Sequence, residues 1–182
     1  MRFRLKELSS SHIPSEDKRL SGMEKEWSQK HMVAQSVLVF ISLCMILTLY
    51  RFLGGIIVAS LGASSFILFV TPHTNTSRAI NLIGGYLFGS VSGVAFAYLY
   101  KTLSLLEFTG KDFAMVAVCA FAAAVTTLLM ILTRLVHPPS AALALGLTTD
   151  PNSLIIAVAA VGGVVILCSI RHLLKRYLKN LL

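Results

Sequence analysis

Four stretches of 18 or more residues contain no charged side chain: Met32–Tyr50, Leu53–Val70, Phe113–Thr133 and Ser153–Ile170. A fifth, Ile80–Tyr100, has Asn81 as its strongly polar member, near the start. About 20 such residues form a helix of roughly 30 Å, the thickness of a bilayer's hydrocarbon core. Inside lipid each backbone N–H and C=O must be paired within the segment, which a helix achieves alone. The chain is therefore expected to be an all-α, multi-pass membrane protein in contact with the lipid bilayer. Charged residues make up 13% of the chain, against about 25% in a soluble domain.

The net charge of +8 does not point to nucleic acid, because the excess lies on the flanks. Residues 1–31 hold seven Lys/Arg and five acids, and Arg171, Lys175, Arg176 and Lys179 follow the last span. Basic flanks belong on the cytoplasmic side. The expected organisation is a polar cytoplasmic arm over 1–31, a transmembrane domain over 32–170, and a basic cytoplasmic tail over 171–182, in the cell membrane. Trp27 suits the membrane interface, just before the first span. The arm lacks the apolar core of a signal peptide, so the first span is expected to serve as its own anchor. Cys44, Cys119 and Cys168 sit singly in apolar spans, without metal-ligand or disulfide spacing.

Four of the apolar segments read as full transmembrane helices: Met32–Tyr50, Ile80–Tyr100, Phe113–Thr133 and Ser153–Ile170. Pro138–Leu147 is too short to cross. Leu53–Val70 is long enough, but Gly54, Gly55, Gly62 and Ala63-Ser64-Ser65 mark it as a candidate broken helix. The expected fold is four full helices plus two short or broken membrane-entering segments. Charge does not choose between four and six crossings, since either puts three Lys/Arg outside and thirteen inside. The short segment favours four, which sets Arg51, His73, Arg78, Arg134, His137 and Asp150 on one side. A weak internal repeat relates the halves, at offsets of 76 (Ser64 to Ser140), 79 (Pro72 to Pro151) and 78 (Gly84-Gly85 to Gly162-Gly163). Transporters often bind substrate between such halves, at interrupted segments.

Gly85, Gly89, Gly93 and Ala97 recur every four residues, a stripe that admits a closely packed helix from the same chain or another subunit. A homo-oligomer, with a dimer favoured, would help cover the broken helices. The most informative run is Arg134-Leu-Val-His-Pro-Pro-Ser-Ala-Ala-Leu-Ala-Leu-Gly146. Proline suits the first turn of a helix, so Pro138 and Pro139 announce an abrupt start. Unpaired backbone N–H groups there, with Ser140 and His137, would make an anion site. Ser64 and Ser65 offer a second, weaker start. Arg134 and Arg78 would attract anions at the mouth, and Asn81 completes the candidate site. Thr71–Arg78 reads as a hydroxyl-rich loop.

No Asp or Glu lies within an apolar segment, whereas cation carriers usually keep one there. No protease, P-loop or dinucleotide motif is present, so no catalytic residue, cofactor or metal site is expected and the chain does not read as an enzyme. The expected function is transport of a small inorganic anion. The alternative is a non-transporting membrane scaffold or sensor acting through the cytoplasmic arm.

His137-Pro138-Pro139 resembles the motif that names the HPP family of small integral membrane proteins. The resemblance includes Gly62-Ala-Ser, Pro72 and Asn81-Leu-Ile-Gly-Gly85, and covers about Met32 to Ile170. It implies four membrane spans, and nitrite as the anion, since plastid and cyanobacterial members are implicated in nitrite transport. Two positions depart from the pattern. Ala79-Ile80 stands where a Pro-Arg pair is common, and Tyr86 where His often follows the glycines.

Overall fold

The computed structural model describes residues 15–49, 55–105 and 111–181. Arg51, Leu53, Gly54 and the first fourteen residues of the polar arm lie outside the described residues. The helices are α1 (Ser15–Leu49), α2 (Gly55–Val70), α3 (Ala79–Leu105), α4 (Lys111–Thr133), α5 (Pro139–Thr149) and α6 (Ser153–Leu174), with a 3-10 turn at Asn75–Ser77. Four are long and apolar enough to cross a membrane, over Gln29–Thr48, Ala79–Ser104, Phe113–Thr133 and Ser153–Leu174. The shorter α2 and α5, 16 and 11 residues, measure about 24 Å and 16 Å. The all-α architecture of four full helices and two short ones is as the sequence implies. The outer surface is apolar, with Val91 and Val158 about two-thirds exposed, as a lipid-facing surface requires. Beneath it, Ile57, Leu61, Leu68, Phe69, Leu82, Leu143 and Leu167 pack in one cluster.

Three features differ from expectation. First, α2 is continuous through Gly62 and Ala63-Ser64-Ser65. Its serines donate to backbone oxygens four residues back, Ser64 to Ser60 and Ser65 to Leu61, each at 2.9 Å. Such back-bonding satisfies the hydroxyls without ending the helix. Second, α1 begins at Ser15, so the described part of the arm is helical and continuous with the first span.

Third, each short helix carries the chain part of the way toward the opposite end of the bundle. Gln35 of α1 meets Phe69 of α2, and Leu43 lies against Gly62, so α2 runs back along α1. Helix α5 runs parallel to α3, with Ser140 beside Gly85 and Leu147 beside Gly93. The start of α6 then shares a cavity of about 540 Å³ with Ala97, Tyr98 and Lys101 of α3. Its Arg171 returns to donate to the Pro72 carbonyl oxygen. The grouping of Arg78, His73, Arg134 and His137 with Asp150 is therefore overturned. The first four belong to the end where Gln35 of α1 meets the tail at Lys179, and Asp150 lines the cavity at the opposite end. Each half contributes a long, a short and a long helix, successive helices alternating in direction. The second half accordingly runs opposite to the first, an inverted repeat.

At the terminal end, Gln35 Nε2 donates to the Phe69 and Lys179 carbonyl oxygens, both at 2.8 Å. Leu181 N–H donates to the Val70 carbonyl oxygen at 3.0 Å. The tail thus caps the last turn of α2, whose carbonyl groups have no partner within the helix. A labelling prediction follows from these directions. In a cysteine-free background, Asn152→Cys and Lys179→Cys should react with a membrane-impermeant maleimide from opposite sides. Labelling of both from one side would overturn the course traced for α5 and α6.

Candidate functional site

The glycine stripe determines where the site can form. Gly85, Gly89 and Gly93 of α3 all face α5, so the partner of the stripe lies within the chain. Without side chains in the way, the start of α5 sinks against α3 and carries His137 with it. The turn before it is built by Arg134. Leu135 N–H donates to the Met130 carbonyl oxygen at 3.0 Å and Arg134 N–H to that of Ile131 at 3.2 Å. This is the Schellman pattern, which places the residue after the helix in the left-handed region. Arg134 has φ 58° where glycine is usual, at a cost of about 1–2 kcal/mol. The turn sends the chain inward, until His137 lies opposite Ser64, six residues before the last residue of α2. That separation is about 9 Å along the helix.

His137 is fully buried. Its Nδ1 donates to the Thr76 carbonyl oxygen at 3.1 Å, and its Nε2 is 2.9 Å from Ser64 Oγ. Ser64 Oγ is also 2.9 Å from Tyr86 Oη. Ser60 Oγ donates to the Pro139 carbonyl oxygen at 3.0 Å and lies 2.9 Å from Tyr86 Oη. The Tyr86 and His137 rings lie 5.8 Å apart, tilted by 36°. Helices α2 and α3, the start of α5 and the 3-10 turn therefore meet in one polar cluster inside an apolar bundle. Ser140 Oγ, also fully buried, lies against Gly85 and has no hydrogen-bond partner.

Of the residues singled out in the sequence, the structure brings together His137, Pro139, Ser140 and Ser64. Pro138 is exposed at the start of α5. Ser65 is buried but donates to its own helix and takes no part in the cluster. Asn81 Nδ2 donates to the Asn75 carbonyl oxygen at 2.8 Å, which braces the 3-10 turn. Arg78 and Arg134 are exposed at the terminal end. The expectation of unpaired backbone donors at the start of α5 is not met. Ser140 N–H donates to the His137 carbonyl oxygen and Ala141 N–H to that of Pro138, both at 3.1 Å. The two prolines have no N–H to offer.

The Thr71–Arg78 loop is also largely self-satisfied. Ser77 Oγ donates to the Thr71 and Ile67 carbonyl oxygens, and Thr74 Oγ1 to that of Thr71. Its contribution to the cluster is a backbone group, the Thr76 carbonyl. Tyr86, Ser60 and Thr76 were not expected in the site. Ser60 and Ser64 are four apart and so share a helix face. Tyr86 stands where the resemblance expects His.

A family model described as "HPP, transmembrane region" matches residues 24–180. No curated protein and no solved structure matches the chain.

Proposed function

Since the chain belongs to the HPP transmembrane family, we propose that it carries a small inorganic anion across the cell membrane, with nitrite the first substrate to test. The single observation that carries this reading is the Ser140 hydroxyl, buried beside His137 without a partner. An unsatisfied buried donor costs about 1–3 kcal/mol. In membrane helices serine commonly avoids that cost by back-bonding, as Ser64 and Ser65 do here. An anion would give Ser140 the acceptor it lacks.

Two further features support the reading. The cluster lies where α2 and α5, the short helices of two inverted halves, meet, and transporters commonly bind substrate at such a junction. Arg78, Arg134, Arg171, His172 and Lys175 belong to the same end of the bundle, while Asp150 and Lys101 lie at the other. Positive charge at that mouth would concentrate anions. By the positive-inside rule it also faces the cytoplasm, with both termini. A homodimer is part of the proposal, using a surface other than the glycine stripe that α5 fills. The role is transport without catalysis.

Ser140→Ala tests the assignment. The variant should raise the half-saturating nitrite concentration about 5- to 150-fold, equivalent to about 1–3 kcal/mol. Thermal stability should be unchanged or higher, because an unpaired buried hydroxyl has been removed. Concentration-dependent uptake into proteoliposomes measures the first and detergent-solubilised unfolding the second. Unchanged uptake would take Ser140 out of the site. A reconstituted wild-type protein inert toward nitrite, nitrate and formate would favour the scaffold or sensor reading.

A further inference from the structure

The hydrogen-bond geometry around His137 has a place for a second proton on the imidazole. The carbonyl oxygens of Thr76, Ser60 and Pro139 can only accept. His137 Nδ1 therefore donates to Thr76, Ser60 Oγ to Pro139, and Ser64 Oγ to Ser60. With the Ser64 proton committed to that carbonyl oxygen, the 2.9 Å approach of Ser64 Oγ to Nε2 has no proton unless Nε2 carries one. A neutral ring leaves Ser64 divided between two acceptors. An imidazolium, a donor at both nitrogens, completes both bonds.

Burial sets the condition for that proton. The imidazole is fully enclosed, and a lone cation in apolar surroundings is unfavourable. Among the described residues, the groups packed on the ring do not supply a counter-charge. They are Ser64 of α2, the Thr76 carbonyl of the 3-10 turn, Tyr86 of α3 and, on the His137 N–H, the sulfur of Met130 of α4. Tyr86 is the titratable neighbour, and its hydroxyl lies against those of Ser60 and Ser64. The nearby charged side chains in sequence, Arg78 and Arg134, are exposed and of the wrong sign. An arriving anion supplies the missing charge.

We propose that each anion enters the His137–Ser64–Tyr86 cluster together with one proton, taken up from water at Nε2 of His137 and released with the anion on the other side, so that net transport is electroneutral. This rests on the anion-transport reading above. His137 would act as the coupling residue, and its protonation and anion binding would each strengthen the other, as linkage requires.

The test uses full-length protein in liposomes containing a pH-sensitive dye, with a sodium nitrite gradient and protein-free vesicles as background. The expected result is protein-dependent nitrite entry with about one proton per anion and a rate insensitive to an imposed potassium diffusion potential. Nitrite entry that leaves lumen pH unchanged and responds to the potential would overturn the coupling while leaving anion transport standing. Absence of protein-dependent entry would overturn both. His137→Gln keeps a donor and an acceptor but cannot gain a proton, so any nitrite flux it retains should be potential-sensitive and proton-free. One proton per anion in that variant would equally overturn the assignment.

Discussion

Gly89→Ala, a change of one methyl group, is expected to destabilise the membrane domain by about 3 kcal/mol, the upper part of the range for overpacking a close-fitted interior. A Cβ at Gly89 would lie 2.4 Å from the Ser140 backbone oxygen and 3.2 Å from its carbonyl carbon. Neither atom can rotate away, because both belong to the backbone of α5. Relief requires α5 to move off α3, which also pulls the start of α5 from the cluster. Gly84→Ala provides the contrast. Its Cβ would meet the end of the Leu135 side chain at 2.6 Å, which can change rotamer, so a loss below about 1 kcal/mol is expected. Thermal unfolding of the two purified variants checks the pair. Equal stabilities would contradict the close α3–α5 packing.

His137→Ala is expected to bring nitrite uptake down to the protein-free background and to cost about 3 kcal/mol in stability. The imidazole joins α2 to the 3-10 turn through Ser64 and the Thr76 carbonyl. Its loss leaves the Thr76 carbonyl without that donor and opens a cavity, and each effect is worth about 1–3 kcal/mol or more. Ser64 and Tyr86 retain each other as partners, which limits the damage. The folded fraction after purification separates the structural effect from the functional one.

The helices were legible because uncharged length is a direct physical requirement for crossing lipid. The start of α5 was legible because proline has few places in a helix other than its first turn. The course of the short helices was not. Thirteen inner and three outer basic residues satisfy either topology, and the answer lies in contacts such as Gln35 with Phe69 and Leu43 with Gly62. The pairing of the backbone donors at the start of α5 has a local cause. The carbonyl of His137 turns back onto Ser140, a conformation that a run of residue types does not reveal. Tyr86 enters the cluster because Gly85, one residue earlier, lets α5 approach α3. That register is a tertiary fact. Ser60 carried a readable signal in its four-residue spacing from Ser64.

The account stands on anion passage through the cluster around His137, and initial rates of labelled nitrite uptake test it most directly. Proteoliposomes holding equal amounts of folded wild-type or His137→Ala protein would be measured beside protein-free vesicles. The account predicts saturable uptake by the wild type, suppressed by excess unlabelled nitrite, and background rates for the variant. Wild-type rates at background would contradict it, as would saturable uptake of equal rate in both proteins.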